Sequence, residues 1–344
     1  MKNVSLSFCI PTYNRAASVQ GLVLRILSCS DSTIEVVVLD NGSTDGTLDI
    51  LKSIRDERLV LYSNGTNRGG LYNVVHVIAK ARGNFLVFST DKDHINPDEI
   101  HSFQSFLKQN PNLACGYCEF NSVSKFDFET FPKGYQAAAS IGHQGRHPTG
   151  YFFRNDLLRS INHVTRFSDY NFVDVFPLDF ILGELCLKGD GAIYHRALFT
   201  LESPEMAAKH KSYNAPGTTK EAFFSPEGRL KIAVSYARHI DTLELSWSDR
   251  ESLITNSFVR EFTGATIGYR FILKNKYLCK HYCMDSRGVG VAEMVRIGIV
   301  FFTRYIRETE SLSRNTSMRE LSIRVHLAIG IIGKFLSSFH KFFR

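Results

Sequence analysis

The chain has no uninterrupted run of the roughly 18 apolar residues that a membrane-spanning helix requires. Its longest candidate, IGIVFFT, is closed off by Arg296 and Arg304. The N-terminal stretch MKNVSLSFCIPTYNR is broken by Pro11 before it reaches the length of a signal-peptide core, which predicts a chain that stays in the cytoplasm. A disulfide framework is also missing, since seven cysteines is an odd number in a long chain and fits reduced thiols. Cys115 and Cys118 have the spacing of a redox pair, and with Cys279 and Cys283 they could supply four metal ligands. The run that carries the first two, LACGYCEF, reads as a strand, whereas a redox pair needs a helix N-terminus to lower a thiol pKa. A structural role is therefore the stronger reading. No stretch fits the dinucleotide fingerprint G-x-G-x-x-G or the phosphate loop G-x-x-x-x-G-K-[ST], and there is no internal repeat or low-complexity tract.

What the chain does have is material for a sizeable core: 44% hydrophobic and 12% aromatic residues over 344 positions, a length suited to about two domains. Apolar β-rich runs occur at VSLSFCI (4–10), IEVVVLD (34–40), LVLYS (59–63), NFLVFST (84–90) and LACGYCEF (113–120). Helix-period segments alternate with them: AASVQGLVLRILSC, STDGTLDILKSIR, GGLYNVVHVIAKARG and NPDEIHSFQSFLKQN. Strict alternation predicts an α/β fold, a mostly parallel sheet with helices on both faces. Gly83 is expected to end the third helix and Asn96, before Pro97, to cap the fourth. Residues 121–150 read as polar and irregular, and the α/β pattern resumes at YFFRNDLLRSI and runs to about residue 202. The expected organisation is an α/β domain at 1–205, a helical region at 206–286 and a basic tail at 287–344. The helical part begins near Ser225, and Ser248-Asp-Arg-Glu251 has capping-box spacing.

In such sheets the ligand crevice lies beyond the carboxyl ends of the strands. The polar segments PTYNR, DNGSTDG, NGTNRGG and TDKDH all fall there. Asn, Gly, Thr and Asp also form turns for local reasons, but their concentration on one rim points to a binding site.

Taken together, CIPTYNR, VVVLDNGSTDGT, NRGG with Asn73, and ARGNFLVFSTDKD resemble glycosyltransferase family 2, inverting enzymes of the Rossmann-like GT-A fold, over roughly residues 4–200. The resemblance implies a nucleoside-diphosphate sugar as donor, with Pro11, Thr12, Tyr13, Asn14 and Arg15 near the nucleotide and Asp40 on its base. Asn41, Asn67, Gly70, Asn73, Thr90, Asp91 and Lys92 complete the implied donor side. A carboxylate at Asp40 can accept the N–H of a uracil or guanine edge, while Arg15 and Tyr13 suit diphosphate contact and base packing. Arg15 as an ordinary solvated helix-start residue is the competing reading.

The family's D-x-D motif holds a divalent cation that bridges the donor phosphates, and hard oxygen ligands suit Mg²⁺ or Mn²⁺. Two registers fit here. Read literally, Asp91-Lys92-Asp93 offers Asp91 and Asp93 as ligands. Counted back from Pro97, the pattern D-x-D-D-x-x-x-P falls on Thr90, Asp91 and Lys92, so that a lysine stands where the metal-binding acid belongs. The preferred reading is a metal held by Asp91 and Asp93. Metal-independent transfer, with Lys92 offsetting phosphate charge, stays open.

An inverting transfer also needs a general base for the acceptor hydroxyl. The resemblance implies a carboxylate from an E-D pair about ten residues ahead of a Gly, and FPLDFILGELCLKGD offers Asp179 with Leu178 in place of the preceding acid. Asp174 and Glu184 are the alternatives, and helix capping is the competing role for Asp179. Burial among Phe, Leu and Ile is expected to raise its pKa. RHPTGYFFR lies where the family places a loop facing donor phosphates and acceptor, which brings in His147, Thr149 and Gly150; an ordinary turn is the alternative.

The formal charge is +7, and residues 287–344 carry most of it, with ten Lys/Arg against four Glu. Within 321–344, apolar positions at helical spacing face Lys334, Lys341 and Arg344, a profile suited to a membrane interface. Packing on the protein's own helices or on a second subunit competes with that, so an oligomer stays open. Nucleic acid is not an expected partner, because no base-reading module accompanies the charge. The resulting expectation is an inverting glycosyltransferase acting on a saccharide or lipid-linked acceptor in bacterial surface polysaccharide synthesis, peripheral on the inner face of the cell membrane. A sugar nucleotidyltransferase and a catalytically degenerate, membrane-associated sugar-nucleotide-binding protein are the alternatives. Donor sugar, base and linkage depend on side chains outside the shared motifs.

Overall fold

The computed structural model describes residues 4–120, 122–167, 177–201, 223–281 and 286–312. Asp174, Cys283, the boundary near 205 and the amphipathic segment 321–344 lie outside the described residues. The chain divides into two compact units, residues 1–210 and 211–344.

The first unit holds the strands β1 (Leu6–Thr12), β2 (Ile34–Asp40), β3 (Leu59–Ser63), β4 (Phe85–Phe88), β5 (His94–Ile95), β6 (Leu113–Cys118), β7 (Phe128–Phe131), β8 (Tyr151–Arg154), β9 (Asp190–Tyr194) and β10 (Phe199–Thr200). Its helices are α1 (Ala16–Leu27), α2 (Thr47–Ser53), α3 (Gly70–Ala79), α4 (Ile100–Gln109), α5 (Tyr135–Ile141), α6 (Asn155–Ser160), α7 (His163–Phe167) and α8 (Pro177–Leu185). Eight strands form one sheet in the order β3-β2-β1-β4-β8-β6-β9-β7, and β5 and β10 pair as a separate ribbon. β1 runs parallel to β2 and β4, β2 to β3, and β6 to β9, while β8 is antiparallel to both β4 and β6 and β7 is antiparallel to β9.

Burial explains why the central runs read as largely apolar segments and not as alternating ones. Every residue of β2, β4 and β6 is buried, as expected for strands covered on both faces. Along β1 and β2, Leu6, Phe8, Ile10, Val36 and Val38 join one core with Val19, Val23 and Ile26 of α1 and Ile100, Phe103 and Phe106 of α4. The pleat turns the intervening residues to the other face, where α3 meets β1 and β2, and α8 meets β6 and β8. Each fully buried Val, Leu, Ile or Phe contributes roughly 1.5–3 kcal/mol, so these layers hold the strand ends firmly.

Several local expectations are corrected. Residues 121–150 are not irregular: they contain β7 and α5, whose sequences carry little apolar signal because β7 is an exposed edge strand and α5 buries only Ala137, Ala138 and Ile141. Gly83 does not end α3, which stops at Ala79. A Cβ at Gly83 would lie 2.7 Å from Ser7 Oγ, so this glycine is needed for close approach to β1. Asn96 does cap the turn after β5, accepting from the Asp98 N–H, with Pro97 at the first position. Cys115 and Cys118 are buried in β6, where desolvation pushes both thiols well above their usual pKa, the opposite of a redox pair.

The second unit is helical: α9 (Pro226–Asp241), α10 (Trp247–Thr263), α11 (Tyr269–Lys274), α12 (Lys276–His281) and α13 (Val291–Thr309). Ser225 caps α9 by accepting from the Gly228 N–H at 3.0 Å. The cap of α10 is Ser246, which accepts from the Asp249 N–H at 3.1 Å, two residues before the capping box expected at Ser248. Phe258 packs on Tyr305 and Phe301 of α13, with ring centroids at 4.5 and 5.8 Å. No described helix is long and apolar enough to cross a membrane.

Candidate active site

Because β1, β2, β3 and β4 are parallel, their carboxyl ends share one rim, and the antiparallel β8 brings its N-terminal end to the same rim. The loops are stitched together there by backbone bonds: Asn41 N–H to Thr12 O at 2.9 Å, Asn64 N–H to Asp40 O at 2.9 Å and Gly150 N–H to Phe88 O at 2.9 Å.

The PTYNR and DNGSTDG loops close on each other. Asn14, in the left-handed region at φ 51°, accepts from the Thr44 N–H at 2.8 Å through its side chain and donates its own N–H to Ser43 Oγ at 2.8 Å. Asn tolerates that conformation better than most residues. Asp45 Oδ2 accepts from the Ala16 N–H at 3.2 Å, placing a carboxylate at the start of α1. Burial works against ionisation of Asp45, but hydrogen bonds from Thr47 and Ala16 hold its carboxyl below the usual value. Asp45 was not singled out among the site residues, although the T-D-G-T pattern is a turn signal.

Asp40 is buried, and its carboxylate accepts from the N–H groups of Gly42 and Ser43, both at 3.1 Å, and from Ser63 Oγ at 3.3 Å. Asn41, Asn67 and Asn73 form a network with Asn64. Asn41 donates to Asn67 at 2.9 Å, Asn64 donates to Asn41 at 2.9 Å and to Asn73 at 3.1 Å, and Asn73 donates to Leu39 O at 3.0 Å. This network fixes the loop that leads to Gly70, the exposed first residue of α3. Tyr13 is exposed and Pro11 half-buried.

Asp91 and Asp93, two residues apart, are held from different strands. Asp91 accepts from Thr12 Oγ1 at 2.8 Å and from Arg15 Nη1 at 2.6 Å, so the β1 loop grips it. Asp93 accepts from Thr90 Oγ1 at 2.6 Å and from the Thr149 hydroxyl, and His147 Nδ1 lies 3.7 Å away, so the segment before β8 grips it. Thr149 Oγ1 also takes the Thr90 N–H at 2.9 Å. Lys92 makes no hydrogen bond or ion pair among the described residues. Burial depresses the His147 pKa, Asp93 opposes this and the Lys92 charge adds to it.

Asp179 sits in the first turn of α8, fully buried. Tyr151 Oη donates to its Oδ1 at 2.5 Å and the Gly145 N–H to its Oδ2 at 2.6 Å. Glu184, on the same helix, is paired with Arg166. The segment 145–151 therefore touches both Asp93 and Asp179. Tyr117 Oη donates to His147 O at 3.1 Å and the Arg146 guanidinium stacks over the Tyr117 ring at 5.1 Å, which ties the segment to β6. Tyr151 and Tyr117 were not readable as site residues, because both lie in apolar strands.

Residues 7–179 match the sequence profile described as Glycosyl transferase family 2. The chain belongs to this family. Among relatives, an uncharacterised glycosyltransferase of Haemophilus influenzae is 30% identical over 145 residues, 38% of this chain and 58% of its own length. The Escherichia coli UDP-Glc:alpha-D-GlcNAc-diphosphoundecaprenol beta-1,3-glucosyltransferase WfaP is 32% identical over 105 residues, 30% of this chain and 41% of its own. The matches thus span about half of these relatives. A structure of Staphylococcus aureus TarS in complex with UDP-GlcNAc superposes with a TM-score of 0.58 at 16% identity, covering 93% of this chain and 90% of that one. The GT-A fold follows from that likeness.

Family 2 sites often hold a divalent cation. The donor set here suits one only with help: Asp91 and Asp93 supply hard oxygens, and no group of three or more His, Cys, Asp or Glu able to hold a metal occurs among the described residues. A cation held by Asp91 and Asp93 would need further oxygen ligands from outside the protein.

Proposed function

We propose that the protein is an inverting glycosyltransferase that moves a sugar from a nucleoside-diphosphate donor to a saccharide or lipid-linked acceptor. The observation that carries this reading is the segment 145–151, which joins the acid pair at the strand rim to the buried carboxylate of α8.

In this reading the PTYNR and DNGSTDG loops take the nucleotide, with Asp40 toward the base. Arg15 and Lys92 supply positive charge against the diphosphate. Asp91 and Asp93 are the groups that would hold a divalent cation, whose chemistry is to offset charge building on the departing diphosphate. Asp179 takes the proton of the acceptor hydroxyl as that oxygen attacks the anomeric carbon opposite the leaving group. The carbon–oxygen bond to the diphosphate breaks as the new glycosidic bond forms. His147, Thr149 and Gly150 belong, in this reading, to the loop that faces the donor phosphates and the acceptor.

The pairing of Arg15 with Asp91 favours a second version, in which transfer is metal-independent and Arg15 and Lys92 carry the electrostatic load. Titrating Mn²⁺ in the presence of UDP separates the two, since the metal version requires Mn²⁺ to tighten UDP binding. A lipid-linked acceptor is supported by the acceptor named for the E. coli relative, and a place at the inner membrane face in surface polysaccharide assembly is proposed with it. The direct test is a thermal-shift panel of nucleoside diphosphates and sugar nucleotides, with and without Mn²⁺, followed by assay of Asp179→Asn. Abolished transfer with nucleotide binding near normal is expected, and retained turnover would remove Asp179 as the base.

A further inference from the structure

We infer that Tyr151 is a positioning residue for this reaction, holding the Asp179 carboxylate ionised and in a single orientation so that it can accept a proton. The inference rests on the assignment of Asp179 as the base.

The physical problem is burial. Asp179 has 0% exposure, and desolvation alone drives a carboxyl toward its neutral form, which cannot act as a base. Among the described residues, the Tyr151 phenol at 2.5 Å and the Gly145 N–H at 2.6 Å offset this, one at each oxygen. Hydrogen bonds to an ionised acceptor are the strong ones, and they favour the charged form. Burial first, and then the charge of Asp179, push the Tyr151 phenol well above its usual pKa, so it stays a donor throughout the working range.

Tyr151 is suited to fixing geometry because it is part of the sheet. It opens β8 in register with Tyr117 of β6, and the two rings meet edge-on at 5.1 Å and 77°. Side chains on strands hold positions more tightly than side chains on loops. Gly145, at φ 63°, reaches Asp179 from a turn that the Tyr117–His147 bond and the Arg146 stack hold down. The same segment carries Thr149 to Asp93, so a displacement of Tyr151 would disturb both carboxylates. Other titratable groups on the described elements around α8 include Tyr117, Cys115 and Cys118 on β6, His143 and Arg146 ahead of β8, Arg154 on β8, His76 and Tyr72 on α3, Tyr135 on α5, Asp156 and Arg159 on α6, and Glu184 with its partner Arg166.

The test compares wild type, Tyr151→Phe, Asp179→Asn and the double variant. Release of nucleoside diphosphate is followed from UDP-GlcNAc, UDP-glucose and GDP-mannose, and the carboxyl region is read by infrared difference spectroscopy at neutral pH. Tyr151→Phe is expected to lower kcat by about 10- to 100-fold with KM within about twofold, and to add nothing in the Asp179→Asn background. Its infrared spectrum is expected to gain a protonated carboxylic-acid band that vanishes in the double variant. That second readout needs no turnover, so it decides the matter whichever sugar nucleotides react. A Tyr151→Phe protein that keeps Asp179 ionised, or keeps wild-type kcat while Asp179→Asn is dead, overturns the role of Tyr151 alone. Turnover retained by Asp179→Asn overturns the base assignment and this inference with it.

Discussion

Arg15 Nη1 lies 2.6 Å from Asp91 Oδ1, so a residue of the loop after the first strand neutralises a carboxylate in the loop after the fourth. The Asp91 side chain is 3% exposed and that of Arg15 20%, which puts the pair in the range where removing one partner leaves a costly charge behind.

Arg15→Ala is accordingly expected to destabilise the protein by about 1.5–3 kcal/mol, the scale of a charge-assisted hydrogen bond at a buried acceptor. UDP binding is expected to weaken by about tenfold, because the variant loses a guanidinium that suits phosphate contact. Urea unfolding and calorimetric titration with UDP measure the two effects separately.

Thr149→Val keeps the shape of a fully buried side chain and removes its hydroxyl. The Thr90 N–H then loses its acceptor, and Asp93 loses one of its donors. Leaving such groups unsatisfied costs about 1–3 kcal/mol each. The expected result is a fall of roughly 2 kcal/mol or more in chemical denaturation, with Thr149→Ser close to wild type.

Gly150 has φ 105°, and a Cβ there would lie 2.7 Å from the Cys118 carbonyl oxygen. Gly150→Ala therefore combines backbone strain with a clash against the sheet, together about 1–3 kcal/mol. Because Thr149 and Tyr151 flank it, turnover is expected to fall more than nucleotide binding does. A variant with wild-type stability would show that the strand end can shift.

His76 and His163 predict the acid response. Burial depresses the pKa of each below the ordinary 6.5; carbonyl contacts from Tyr72 and Leu158 oppose the shift, and neighbouring Lys, Arg and His charges add to it. A folded pKa below the unfolded one means that the unfolded chain binds more protons in the interval between them. The stabilisation is thus complete above pH 6.5 and is lost as the pH falls through the folded values. The thermal midpoint is expected to drop on acidification from about pH 7 to 5, and His163→Gln to flatten that slope, since His163 Nε2 has no hydrogen-bond partner among the described residues.

Much of the fold was legible because its signal is local. The runs at 34–40 and 113–118 are apolar over most of their length because both faces of β2 and β6 are covered, and such runs alternating with helical segments admit few architectures. The rim loops were legible for the same reason, since parallel strands must end on one side. β7 and α5 were not, because an exposed edge strand and a short alanine-rich helix owe their form to the neighbours they pair with. Glu35 shows the same limit within a correctly read strand. It is a fully buried carboxylate that accepts from Ser7 Oγ at 2.7 Å and from the Arg82 backbone and side chain at 2.7 and 2.8 Å. No period in the sequence announces those partners.

The amino-acid sequence by itself determined the alternation of the strands and helices up to β6, the rim on which the polar loops gather and the residue types that gather there, because propensity and hydrophobic period act over a few neighbouring positions. Only the tertiary structure decided how those residues are used: that Arg15 pairs with Asp91, that Thr149 supports Asp93, that the asparagines bind one another, and that a strand tyrosine meets the carboxylate of α8. Those contacts join positions from 9 to 76 residues apart, and hydrogen bonds at such separations depend on sheet order and register, which no local pattern encodes.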